Sequence, residues 1–199
     1  MVSRMTHPSA PRGRPRDIRA HQAILTSTIE LVTELGYAAT SVGAVAARAG
    51  VGKDTIYRRW SGKAELVYEA VFTETEAAPV PDTGSLTGDL TALLESLIHE
   101  FTAPAAAAAL PGLLADFAAG PELQARIRSQ FLAPAKESLV AVFERAVRRG
   151  ETDPSVPVDL VLDTLAGAVF FHVGLVGERP TRQLATQLAA IVGRGIEAR

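Results

Sequence analysis

Between Thr40 and Lys63 the chain reads TSVGAVAARAGVGKDTIYRRWSGK, and six polar side chains, Lys53, Asp54, Thr55, Tyr57, Arg58 and Arg59, fall within seven positions. A guanidinium can grip the outer edge of guanine or a phosphate. Tyrosine and threonine hydroxyls reach phosphates, the threonine methyl meets the thymine methyl, and a carboxylate accepts from the cytosine amino group. Together these groups have the chemistry of reading duplex DNA.

Reading requires that they be held on one face. Ser41 can cap a first short helix by accepting from the exposed amides of its opening turn. Val42, Val45, Ala46 and Ala49 then repeat at three and four, giving one narrow apolar stripe. Gly50 supplies a left-handed stop, and Val51 plugs the corner before Gly52. The second helix, Lys53 to Trp60, is apolar only at Ile56 and Trp60, one turn apart. Two short helices joined by a glycine-containing turn form a helix-turn-helix. Gly62 and Lys63 open another helix, whose first amides and lysine can hold one more phosphate. Thr40 and Ser41, where the first short helix begins, belong with the same DNA-contacting set. The competing reading is an ordinary helical hairpin with a solvated charged face, but cap, turn, anchors and polar face all agree on DNA.

The stretch resembles the DNA-binding domain of TetR-family transcriptional regulators, whose pattern is Thr-x-x-x-(Ile/Val)-Ala-x-x-Ala-Gly-Val-x-x-x-x-(Ile/Leu)-Tyr-x-(His/Tyr)-Phe-x-x-Lys-x-x-Leu. Val45, Ala46, Ala49, Gly50, Val51, Ile56, Tyr57, Trp60, Lys63 and Leu66 stand in register with it. Arg59 replaces a frequent His or Tyr, Trp60 replaces Phe, and Asp54 stands where Gly is common. The match is specific from about Asp17 to Val71. Beyond that, the resemblance rests on architecture.

The chain has 199 residues, 47% of them hydrophobic, enough for one large or two modest cores. It has no cysteine, which excludes disulfides and thiolate chemistry. No apolar run is expected to reach the length of a membrane span, and the first residues lack a signal-peptide pattern, so a soluble cytoplasmic protein is expected. The net charge of -2 speaks against a nucleic-acid binder until it is mapped: residues 1–63 carry +6 and the remaining 136 carry -8. That is a basic head on an acidic body.

An all-α fold is expected, with a three-helix head, a larger helical body and about nine helices in total. Residues 1–16 read as a disordered basic arm, with Arg12 and Arg14 in a run of the kind that enters a minor groove. Residues 17–62 are the DNA-binding domain, opened by a long helix from Asp17 to Gly36 that buries Ile18, Leu25, Ile29, Val32 and Leu35. Residues 63–78 are a connecting helix, and residues 79–199 are the regulatory and dimerisation domain. Pro104 and Pro111-Gly112 bracket an alanine-rich segment, after which Leu113 to Ala119 is expected to continue as a helix until Gly120-Pro121, and Pro134 to kink or break the helix from Glu122 to Arg149.

The segment from Pro157 to Val176, with Leu165 and Val169, is apolar nearly all round, so it needs cover on two sides. In the last helix Leu184, Leu188, Ile191 and Gly195 form a packing seam, and Ala185, Ala189 and Gly193 form a row of small residues that permits close approach. A buried central helix in a monomer would satisfy this pattern, and so would a dimer. The resemblance implies that the last two helices pair with a second copy into a four-helix interface.

Metalloprotease, serine-hydrolase and phosphate-loop motifs are absent, and the four histidines lack metal-ligand spacing. No cofactor and no metal are expected. His99 and His172, in apolar helices, and Phe101, Phe117, Phe143 and Phe170 are the candidates for lining an apolar cavity, although plain core is the commoner fate for side chains of these types. The resemblance implies a homodimeric repressor that binds a palindromic operator and is released by a small apolar effector. The alternatives are an activator of the same family, or a helical ligand-binding or enzymatic body whose head docks a protein.

Overall fold

The structure is a computed structural model describing residues 14–72, 80–177 and 181–196. Among the described residues the chain forms ten α-helices and no strand. They are α1 Arg14–Ala39, α2 Val42–Arg48, α3 Lys53–Tyr57, α4 Lys63–Phe72, α5 Leu86–Thr102, α6 Pro104–Ala119, α7 Pro121–Ile127, α8 Ala133–Arg149, α9 Val158–Phe171 and α10 Arg182–Ile196. Two π-helical turns, Arg128–Leu132 and His172–Val176, extend α7 and α9. Arg14 lies in α1, whereas Arg12 falls outside the described residues.

Apolar burial sorts the helices into three clusters. Ile24 and Leu31 of α1 join Val42, Val45, Ile56, Trp60 and Leu66 to form the core of the head. Leu86, Leu90, Leu94 and Ile98 of α5 meet α8, α9 and α10 in the body. Between these lies a joint in which Val32 and Tyr37 pack with Val67 and Val71 of α4 and with Ala106, Ala109 and Leu113 of α6. Of the stripe expected on α1, Val32 is buried and Leu25 and Ile29 pack half-buried against the core, while Ile18 and Leu35 are exposed and Ile24 and Leu31 are buried instead. Gly36 interrupts α1 with φ +77, as a stop should, but the chain takes one more turn to Ala39.

That extra turn aims Tyr37 at α6. The ring lies on Gly112, where an added β-carbon would come within 2.1 Å of it. The Tyr37 hydroxyl donates to the Asp116 carboxylate, and the Lys63 Nζ stands 4.0 Å from the ring centroid while donating to the Tyr37 carbonyl at 3.2 Å. Pro111 lies inside α6, which continues to Ala119 and stops at Gly120, as expected. It lacks the amide that would bond one turn back, yet Ala106, Ala109, Leu110 and Leu113 are buried on either side of it and hold the helix together. At Pro134 the kink-or-break expectation resolves as a widened turn. The Ala133 amide donates to the Arg128 carbonyl five residues back, just ahead of the proline that lacks an amide.

The N-terminal end of α5 is anchored by charge. Asp89 is fully buried and accepts from the amide and hydroxyl of Thr83 at 2.6 and 2.8 Å, with Arg149 at 3.5 Å. On α10 the small row Ala185, Ala189 and Gly193 faces inward, and Thr87 of α5 lies 3.1 Å from where a Gly193 β-carbon would be. That row therefore packs within the chain.

Leu165 and Val169 are also buried in the chain's own core, so the dimer-interface expectation for these two is corrected. Leu184 and Leu188 are half-buried, and Ile191 and Gly195 are exposed. Leu160, Phe171, Leu175 and Val176 on the outer side of α9 and its π turn are exposed as well. Contrary to the sequence expectation, Val158–Val176 is long and apolar enough to cross a membrane, with 19 residues at mean hydropathy 1.6. It packs on α5 and α8 through Val161, Leu165 and Val169, and Lys136 pairs with Asp159 at 3.2 Å and Asp163 at 3.8 Å.

Gly112→Ala should lower unfolding stability by about 1–3 kcal/mol, because the new methyl displaces a buried ring. Urea denaturation followed by circular dichroism measures this, and an unchanged midpoint would show that α6 yields freely at the joint.

Candidate nucleic-acid interface

The head is built from local signals that act as the residue types require. The Ser41 hydroxyl accepts from the Ala44 amide at 3.2 Å and caps α2. At the other end Gly50 takes φ +67, and the Val51 amide closes onto the Ala46 carbonyl at 3.0 Å. The chain then enters α3, a single turn anchored by Ile56 and Trp60, both essentially inaccessible to water. With those anchors inward, Lys53, Asp54, Tyr57 and Arg58 are exposed and Thr55 is half-buried.

Trp60 in place of phenylalanine brings an indole N–H that must find an acceptor. Glu69 of α4 supplies it at 2.6 Å. His21 of α1 stacks on the indole, with ring centroids 5.4 Å apart and planes 12° from parallel, and its Nε2 lies 3.2 Å from Glu69. Three helices are thereby tied at the base of α3. Glu69 and His21 were missed from sequence. Their only cue was that a buried Trp needs a partner.

Several of the predicted DNA contacts have partners inside the protein. Thr40 is buried, and its hydroxyl donates to the Gly36 carbonyl, so that side chain faces inward. Ser41 is exposed while it caps α2. Arg59 pairs with the Asp17 carboxylate near the start of α1, and Lys63 lies against Tyr37. Arg48 forms two hydrogen bonds to Glu34, at 2.8 and 2.7 Å, across the outside of α1 and α2, which holds the Glu34 carboxyl below its usual range.

The head meets the body at α4. Glu65 is buried there, accepts from the Ser61 amide and hydroxyl at 2.6 Å each, and pairs with Arg126 of α7 at 2.7 Å. Burial alone would push its carboxyl up, but the Ser61 hydrogen bonds and the Arg126 guanidinium outweigh burial and hold it below the usual range. Burial, and then the Asp116 carboxylate, push the Tyr37 phenol well above its usual value.

A groove of ≈ 320 Å³ opens beside this joint, between Ser61–Glu65 at the start of α4, Asp116 and Ala119 of α6, Gly120 and Leu123. None of the six cavity candidates lines it. His99 is exposed, Phe143 is in the body core with Phe101 packed against that core, and Phe117 belongs to the joint. Phe170 and His172 are half-buried near the C-terminal end of α9. Phe101, Phe72, Tyr68 and Phe117 make a chain of ring contacts at 5.4, 5.3 and 5.9 Å, running from α5 along α4 to α6.

Because the folded Glu65 carboxyl lies below its unfolded value, its contribution is complete above the unfolded value and is lost as pH falls through the folded one. Melting temperature should therefore drop on acidification through the carboxylate range, and Glu65→Gln should melt lower at neutral pH with a shallower acid dependence. A Glu65→Gln slope equal to the wild-type slope would show that other carboxylates carry the effect.

Two family descriptions match the chain: "Bacterial regulatory proteins, tetR family" over residues 24–70, and "Tetracyclin repressor-like, C-terminal domain" over residues 80–192. The chain is 32% identical to the HTH-type transcriptional regulator AqdR of Rhodococcus erythropolis, over 96% of this chain and 93% of that one. Among solved structures, the TetR family transcription regulator SCO0332 superposes with a TM-score of 0.74 at 26% identity, covering 89% of this chain and 98% of that chain. FadR from Bacillus subtilis in complex with stearoyl-CoA shares the fold, with a TM-score of 0.62 at 18% identity and 89% and 100% coverage. A capped helix-turn-helix with an exposed polar face, set on a helical body that matches over its length, makes this chain a member of the TetR family of DNA-binding transcriptional regulators.

Proposed function

We propose that the protein is a homodimeric repressor that binds a palindromic operator in the cytoplasm and leaves it when a small apolar effector enters the body. The observation that carries the DNA-reading half is the exposed face of α3, where Arg58 has no ion-pair partner among the described residues. Arg58 and Tyr57 are the principal readers of base edges and phosphates, with Asp54 and Thr55 beside them, and Arg12 and Arg14 follow the adjacent minor groove. Residues 17–62 act as the head, 63–78 as the connector and 79–199 as the body.

The dimer is supported by the apolar surface that one chain leaves uncovered on its last two helices. Leu160, Phe171 and Leu175 are more than half exposed, as is Ile191. A monomer gains nothing from presenting them to water, whereas a twofold axis would bury the same patch on both copies. The release half is supported by the ring chain from Phe101 to Phe117. A ligand that spreads α5 from α6 would press on Tyr68 and Phe72 and tilt α4, and with it the two heads. The B. subtilis FadR, which shares this fold, was solved with stearoyl-CoA, so a long-chain acyl thioester is a suitable first probe.

Fluorescence anisotropy with duplex from upstream of the protein's own gene, in the presence of non-specific competitor, tests the first half. Arg58→Ala should weaken specific binding by about 1–3 kcal/mol with an unchanged circular dichroism spectrum. Intact binding would remove Arg58 from the reading face. Ile191→Glu combined with Leu175→Glu should give a monomer in sedimentation velocity that holds the operator poorly. A dimer that survives both charges would place the interface elsewhere.

A further inference from the structure

Gly43, in the first turn of α2, has no side chain, and the space this leaves is taken. A β-carbon built on it would lie 3.1 Å from Cε and 3.3 Å from Nζ of Lys53, and 3.9 Å from the Ser41 hydroxyl. Lys53, the first residue of α3, therefore folds back across the N-terminal turn of α2 instead of extending from the reading face. Gly43 has no positive φ, so the backbone does not require glycine there. In the interior of a helix glycine is the poorest residue after proline. What the missing side chain provides is room for the lysine stem.

We propose that Gly43 is a positioning residue for DNA: it lets the Lys53 ammonium sit over α2, where the first helix of a helix-turn-helix crosses the sugar-phosphate backbone, and so makes Lys53 a phosphate clamp and not a base reader. This deepens the operator-binding reading and rests on it. The exposed face of α3 from Asp54 to Arg58 is then left for sequence. Three further observations support the division. Arg48, the only cationic side chain on α2, is paired with Glu34 and Glu30 on the far side toward α1. Arg59 is paired with Asp17. Lys53 itself has no carboxylate partner among the described residues, so its ammonium is free to meet an anion.

The test is a double-mutant cycle on the full chain, using Lys53→Ala, Gly43→Ala and the pair, read by anisotropy on the operator duplex and on a scrambled duplex across a salt series. Lys53→Ala should weaken both duplexes by the same factor and lower the log–log salt slope by about 0.9, the loss of one phosphate. Gly43→Ala should move affinity and slope in the same direction while raising the melting temperature, since alanine favours the helix. In the Lys53→Ala background Gly43→Ala should have no further effect on either duplex.

A Gly43→Ala effect that persists in the Lys53→Ala background would mean that the methyl strikes DNA directly, and would overturn the positioning role. A Lys53→Ala loss confined to the operator, with the slope unchanged, would make Lys53 a base reader and overturn the clamp. Unchanged affinity and slope in Gly43→Ala would show that the lysine finds its phosphate without the gap. The scrambled duplex keeps this inference separate from the parent reading. Equal wild-type binding to both duplexes refutes sequence-specific binding, while the slopes still report on Lys53.

Discussion

One buried ring sets the relation between head and body. Tyr37 closes α1, touches Lys63 at the start of α4, and lies on the bare backbone of α6 at Gly112. A buried phenol needs a partner for its hydroxyl, and Asp116, one turn further along α6, is that partner. Both contacts demand the same position of α6. A slide by one residue, about 1.5 Å along the axis, would bring Pro111 or Leu113 toward the ring and carry Asp116 away from the hydroxyl. Packed surfaces of this kind move between discrete seats and do not deform smoothly. Lys63 ties α4 to that ring and the Glu65–Arg126 pair ties α4 to α7, so α4 cannot turn without loosening at least one of the two.

The electrostatics of the head are narrower than its composition suggests. Residues 1–63 hold ten basic side chains, yet three of them already have partners within the head. Arg48 lies between Glu30 and Glu34, Arg59 on Asp17, and Lys63 on a tyrosine ring. These pairs brace short helices that have little else to hold them, since α2 and α3 run for seven and five residues. A helix of one or two turns is not stable on propensity alone. Side-chain ties and the Ile56 and Trp60 anchors supply what length does not, and fewer cations are left facing outward.

The head was legible because its signals are local. The Ser41 cap, the left-handed Gly50 and the pair Ile56 and Trp60 all act within a turn or two of themselves, so residue type and spacing suffice. The joint was not legible. Tyr37 meets Asp116 across 79 positions, and Arg126 meets Glu65 across 61. Nothing in the local pattern marks Glu65 as a buried carboxylate. The α1 stripe was partly misplaced for a related reason: periodicity shows that a face exists, but α2, α4 and α6 decide which part of it is covered, and they cover Ile24 and Leu31 instead of Ile18 and Leu35. The cavity candidates were chosen by type alone, and the fold distributes them between two clusters and the surface.

Trp60 is the chain's single tryptophan, and it is sealed at the base of α3 beneath a stacked imidazole, with its N–H held by a carboxylate. Excitation at the red edge of the protein absorbance therefore addresses one fluorophore, and that fluorophore sits in the head alone. While the three-helix packing holds, its emission comes from a dry site beside a ring that can quench it. Once the packing opens, the emission shifts to the red as water reaches the indole. The body contributes circular dichroism but no indole light, so the two parts of the molecule can be melted side by side in one cuvette without a label.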